Sequence, residues 1–108
     1  MTKKTIEWAA GLFEGEGCIY ESKQRKNTNC TLSVWSCDRD IIEAFAEIVD
    51  CGYAHYQRPP KKAPHKIAYG WQVYKQEDVH RLLDQMLPYF GDRRAHKALD
   101  ILDGYECT

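Results

Sequence analysis

Long apolar runs are missing from this chain of 108 residues. The longest, Trp8 to Phe13, holds a glycine and falls far short of the ~20 residues that span a bilayer, so no membrane partner is expected. Met1-Thr2-Lys3-Lys4 leads into a helical pattern without an apolar signal region, and a protein that is not secreted is expected. Cysteines number five, an odd count with no CxxC pair. That favours reduced thiols in a cytoplasmic setting over a disulfide scaffold. Cys18, Cys30, Cys37, Cys51, His55, His65, His80 and His96 lack the spacing of zinc ligands. Repeats, low-complexity linkers, a nucleophilic triad and a phosphate-cradling glycine loop are absent too. With 44% hydrophobic and 29% charged residues, one globular domain over residues 1–108 is expected.

Net charge is also scarce, −1 over the whole chain. Its distribution is uneven. Residues 17–37 carry Lys23, Arg25 and Lys26 against Glu21, and residues 51–75 carry Arg58, Lys61, Lys62, Lys66 and Lys75 with no acid. Residues 38–50 carry one arginine against five acids, and residues 76–108 four basic against seven acidic side chains. The basic segments are those that read as strands and the acidic ones those that read as helices. Such segregation gives a nearly neutral protein one polyanion-binding face. Solvated faces with chance segregation are the plainer alternative.

The spacing of Ile6, Ala9, Ala10, Leu12 and Phe13 predicts a first helix capped by Thr5 and stopped by Gly15 and Gly17. Strands are predicted at 18–23 and 29–35, joined by the polar stretch 24–28. A helix capped by Asp38 carries Ile41, Ile42, Phe45, Ile48 and Val49 and ends at Gly52. Residues 53–57 read as a third strand, and Arg58 to Pro64, with three prolines, as a loop. A fourth strand follows with Ile67, Tyr69, Trp71 and Val73 on its inner face. Val79, Leu82, Leu83, Met86 and Leu87 mark a third helix, and Asp92 caps a last one. The order αββαββαα makes an α+β fold with a four-stranded antiparallel sheet and helices on one face.

Chemistry concentrates in Ala9-Ala10-Gly11-Leu12-Phe13-Glu14-Gly15-Glu16-Gly17. Small residues leave one helix side nearly bare, which permits close approach by a second helix. Two mid-helix glycines cost ~1 kcal/mol each relative to alanine, so they need a packing reason. Glu14 and Glu16 fall at a helix C-terminus, where carboxylates are disfavoured unless a hard cation reverses the sign. An ordinary amphipathic helix with two solvated acids fits the same letters.

This segment resembles the LAGLIDADG motif of the homing endonucleases, here AAGLFEGEG, and the αββαββα order after it agrees with that family. The resemblance implies a single-motif, homodimeric member whose first helix packs on its copy through Ala10, Gly11, Phe13 and Glu14. It implies a site-specific DNA endonuclease making a metal-dependent double-strand cut at a long pseudo-palindromic site. Glu16 matches the metal-binding acid, with the Gly15 carbonyl beside it; Mg²⁺ is the implied cofactor, with Mn²⁺ or Ca²⁺ able to support binding. Glutamate replaces aspartate at both acidic positions. Arg93, after Leu87-Pro88-Tyr89-Phe90-Gly91-Asp92, is the positional match for the family's basic active-site residue. Ser36 corresponds to the polar residue that orients water. The implied setting is the cytoplasm of a prokaryotic or phage-infected cell, or an organelle, with double-stranded DNA as partner and no small-molecule substrate.

Strand parity assigns the face that would meet DNA: Tyr20, Ser22, Gln24 and Lys26; Asn29, Thr31, Ser33 and Trp35; His55 and Gln57; Lys61, Lys62, Lys66, Gln72 and Tyr74. Two other classes remain open. One is a non-cleaving DNA- or RNA-binding domain of the same fold, an intron maturase or transcriptional regulator. The other is a small dimeric interaction protein, against which the acid-free segment 51–75 argues.

Overall fold

A computed structural model of the chain describes residues 5–24, 27–59 and 67–106, with side chains omitted for 22–24, 27–28 and 103–106. Helix α1 (Ile6–Glu16) leads into β1 (Gly17–Gln24) and β2 (Asn27–Ser36), then α2 (Arg39–Val49), β3 (Tyr53–Arg58) and β4 (Ala68–Val73). α3 (Gln76–Met86), a 3-10 turn (Leu87–Tyr89) and α4 (Asp92–Glu106) complete the order. The strands form one antiparallel sheet, β1-β2-β4-β3. The expected α+β class and strand number hold. Two boundaries move: β1 and β2 extend until Gln24 pairs with Asn27, and Arg58 closes β3 instead of opening a loop.

One face of the sheet makes the core. Cys30, Leu32 and Val34 of β2 and Trp71 and Val73 of β4 are buried there with Phe13, Ile42, Phe45, Leu82, Leu83 and Met86. Phe45 meets Trp71 edge to face at 4.8 Å, and Phe13 stacks on Phe90 at 5.9 Å. Each such aromatic pair adds ~0.5–1.5 kcal/mol beyond burial. The Trp71 indole N–H is not stranded, because it donates to the Cys51 carbonyl at 2.8 Å. That carbonyl lies in the turn after α2, where Asp50 is left-handed (φ 54) and Gly52 takes φ 83. A Cβ on Gly52 would also come within 2.6 Å of Trp71 Nε1, so this turn needs glycine twice over.

Caps differ from the letters. Thr5 accepts from the Trp8 N–H at 3.5 Å, as expected of an N-cap, whereas the Asp38 carboxylate makes no capping bond. Asp92 lies inside the first turn of α4, with the Ala95 N–H bonded to the Gly91 carbonyl. Gln76, first in α3, uses its amide as a strand would: it accepts from Cys30 N at 3.0 Å and donates to Cys30 O at 2.9 Å. This continues the β2 ladder past the end of β4 and fixes where α3 begins.

Candidate nucleic-acid interface and catalytic cleft

The opposite face of the sheet is open. Register places its residues in rows: Tyr20 beside Thr31; Cys18, Ser33, Gln72 and Tyr53 in line; Trp35, Gly70 and Tyr56; then Ala68 and Arg58. The expected parity of β1, β2 and β4 is therefore observed, with Tyr20 and Tyr74 strongly exposed and Asn29 exposed. On β3 the parity expectation fails. A register shift lies between Tyr53 and Tyr56, so one extra residue enters the strand, and both tyrosines sit opposite open-face positions. Gln57 falls opposite Tyr69, which packs on the core, and so leaves the open face. His55 lies in the shifted stretch, its ring edge-on to Tyr53 at 5.3 Å. Tyr56 and Arg58 take the places expected for His55 and Gln57. Lys26, Lys61, Lys62 and Lys66 lie outside the described residues, as do the side chains of Ser22 and Gln24.

Beside this face, the C-terminal end of α1 and the end of β2 enclose a cleft of about 550 Å³ lined by Trp8, Leu12, Glu16, Trp35, Ser36 and Asp38 among others. It brings together two of the expected catalytic residues, Glu16 and Ser36. Glu16 is exposed and has no hydrogen-bond or ion-pair partner among the described residues. The Ser36 hydroxyl oxygen accepts from the Asp38 N–H at 3.0 Å, which fixes the oxygen and leaves its proton to donate. Arg93 is not part of this cleft. It is exposed and lines a second cavity across Gly17, with Cys18, His96 and Lys97.

The other motif acid is held tightly. One Glu14 oxygen stands 3.0 Å from Arg94 Nε, and the other accepts from the Gly91 N–H at 3.2 Å. Arg94, its side chain only 13% exposed, also donates to the carbonyls of Glu14 and Gly17, each at 3.3 Å, and lies over the Phe13 ring. A cation thus closes the carbonyl end of α1, where the macrodipole favours one. The family resemblance singled out Arg93; its largely covered neighbour, which fastens the motif helix, was missed. The Asp92-Arg93-Arg94 start of α4 offered no signal for which arginine turns inward.

The expected dimer contacts change as well. Ala10 and Phe13 are fully buried in the chain's own core and offer no free surface to a copy, whereas Glu14 turns to Arg94 and keeps its side chain 38% exposed. Gly11 and Gly15 are exposed, and a Cβ at either would meet nothing within 4 Å. The outer side of α1 is therefore Gly11 and Gly15 with the half-buried Trp8 and Leu12.

No protein-family model matches the sequence, and no curated protein matches it. Solved structures do match in shape. The homing endonuclease I-TnaI superposes with a TM-score of 0.72 at 18% identity, over 98% of this chain and 76% of that one. I-CvuI, solved on the I-CreI target with DNA not cleaved, gives 0.69 at 20% identity over 91% of this chain. The LAGLIDADG homing endonuclease I-LtrWI, solved bound to its target DNA, gives 0.72 at 16% identity over all of this chain and 39% of that one. The chain spans 63% of the length of I-CvuI. Helix order, antiparallel sheet and motif helix together identify the fold of this chain as that of the LAGLIDADG homing endonucleases.

Proposed function

We propose that this chain is a site-specific DNA endonuclease that acts as a homodimer through α1 and makes a divalent-metal-dependent double-strand cut. The observation that carries the reading is the state of Glu16. Of two acids at the end of α1, Glu14 is neutralised by Arg94, while Glu16 stands unpaired in a cleft beside the open sheet face. An unpartnered carboxylate at a helix C-terminus is unfavourable by itself, and a hard cation removes the penalty. Glu16 and the neighbouring Gly15 carbonyl are oxygen donors suited to Mg²⁺. One carboxylate is too few to hold it, and a second copy supplies another. Bound there, a divalent cation would supply charge neutralisation at phosphate and a lowered pKa for its water.

The chain's own residues then divide the work. The open face, with Thr31, Ser33 and Gln72 at its centre, suits hydrogen bonding to base edges in the major groove. The Ser36 hydroxyl orients water beside Glu16. Arg93 stabilises charge on the phosphate as a fixed cation, without the capacity to take a proton. The glycines support the dimer: nothing among the described residues comes within 4 Å of a Cβ at Gly11 or Gly15, and a second α1 packed against them supplies the reason for their cost. Arg93 outside the Glu16 cleft favours the second reading, a DNA- or RNA-binding domain without cleavage.

Selection from a randomised duplex library followed by cleavage in Mg²⁺ tests both. The expected result is an enriched pseudo-palindromic site that is cut by the wild type, and bound but left intact by Glu16→Gln. Tight binding without cutting in Mg²⁺ or Mn²⁺ establishes the second reading instead. Full nicking by Glu16→Gln removes the metal-site assignment.

A further inference from the structure

Among the described residues, four cations on the helical side have carboxylate partners: Arg39 with Glu43, Arg81 with Asp78, Arg94 with Glu14 and Lys97 with Glu21. Arg58 does not. It is exposed at the end of β3, opposite Ala68, and pairs with no acid among the described residues. Its guanidinium carbon lies 4.2 Å from the centroid of the Trp35 ring. Trp35 is itself seated: it lies across Gly70, where a Cβ would come within 2.7 Å of three ring atoms, and leans on Tyr56 at 6.4 Å. Gly70, Trp35 and Arg58 thus form a stack on the open face, each layer setting the position of the next.

Stacking on an aromatic face restrains the plane of a guanidinium and leaves its N–H fork free along the edge. A cation that follows phosphates needs no fixed plane, and lysines, such as those at positions 61, 62 and 66 of the sequence, serve that purpose. A fork whose plane is restrained suits paired acceptors on a base, and guanine O6 and N7 in the major groove are the pair that arginine matches. We infer that Arg58, positioned by Trp35 on Gly70, determines specificity by reading one guanine in each half of the target duplex. This rests on the proposal that the open face binds DNA.

Duplex selection with the full chain tests it, comparing wild type, Arg58→Lys and Gly70→Ala, with circular dichroism to confirm folding. The wild type enriches guanine at one position of each half-site. Arg58→Lys lowers discrimination at that position about 10–100-fold and leaves the other positions unchanged. Gly70→Ala, which displaces the ring and adds no contact of its own, relaxes the same position. If Gly70→Ala does not fold, Trp35→Leu carries the same expectation. Uniform loss of affinity with unchanged preferences makes Arg58 a phosphate contact and overturns the inference. So does a guanine preference indifferent to Arg58. A wild type that enriches no sequence sinks DNA recognition itself, a result distinct from an enriched site that ignores Arg58.

Discussion

Glu14 and Glu16, two positions apart at the same helix end, face opposite surroundings: Glu14 meets Arg94 and the Gly91 N–H, and Glu16 meets the open cleft. Two residues advance an α-helix by about 200°, so the two carboxylates point to opposite sides. Their substitutions therefore separate. Glu14→Gln leaves the largely covered Arg94 without its counter-ion and lowers unfolding free energy by about 1–3 kcal/mol. Glu16→Gln leaves stability unchanged or slightly raised, because it removes an anion from a helix C-terminus. Chemical denaturation of the two variants against wild type checks both signs. Arg94→Met combined with Glu14→Gln loses less than the sum of the single losses, as coupled partners do.

Burial, with Glu21 nearby, pushes the Cys30 thiol up to about 12 from an ordinary 9.0. The folded chain keeps this proton while the unfolded chain releases it. That contribution to stability is fully present below pH 9 and declines as pH rises toward 12, by up to about 1.4 kcal/mol per pH unit. Cys30→Ala lowers stability at pH 7 by opening a cavity, yet shows a shallower decline between pH 9 and 11. Denaturant midpoints at several pH values read the difference. Exposed Cys18 and Cys37 are alkylated in the native state at pH 8, and Cys30 only on unfolding.

Period and parity made most of the fold legible. The alternation of Cys30, Leu32 and Val34, and of Trp71 and Val73, assigned the sheet faces, because a one-sided sheet forces every second residue inward. The same rule misassigned Gln57, since an extra residue between Tyr53 and Tyr56 breaks the period. Two tyrosines spaced three apart on one short strand were the trace of it in the sequence. The family resemblance pointed to Glu16 and Ser36, and the fold brings these two to one cleft. Arg94, Arg58 and the Gly70–Trp35 seat were not legible, since each depends on contacts between segments far apart in the chain. The small side of α1 was legible as composition, but whether Ala10 or Gly11 lay outermost required knowing where the sheet sits.

DNA affinity should follow the local basic segments rather than the net charge. Each phosphate contact removed lowers the slope of log affinity against log salt by about one unit. Lys61→Ala with Lys62→Ala reduces the slope by about two and weakens all duplexes alike, while the preferred site stays the same. Binding isotherms between roughly 50 and 200 mM salt give the slope. Unchanged binding makes the charge segregation incidental.

Association through α1 predicts opposite responses to small and large substitutions. Within one chain, a Cβ at Gly11 or Gly15 enters open space. Alanine at either position therefore raises the intrinsic helix stability by ~0.5–1 kcal/mol, through reduced freedom of the unfolded chain. In the proposed dimer the same atoms would lie at the closest approach of the helices, where added bulk would separate them. Gly11→Leu should thus yield a folded monomer that melts no lower than an equally dilute wild type, and whose melting no longer rises with concentration. Sedimentation equilibrium at micromolar concentration, with and without the variant, decides. A wild-type monomer there removes α1 as the dimer seam. A Gly11→Leu dimer as tight as wild type moves the seam elsewhere and leaves the glycines without a packing reason.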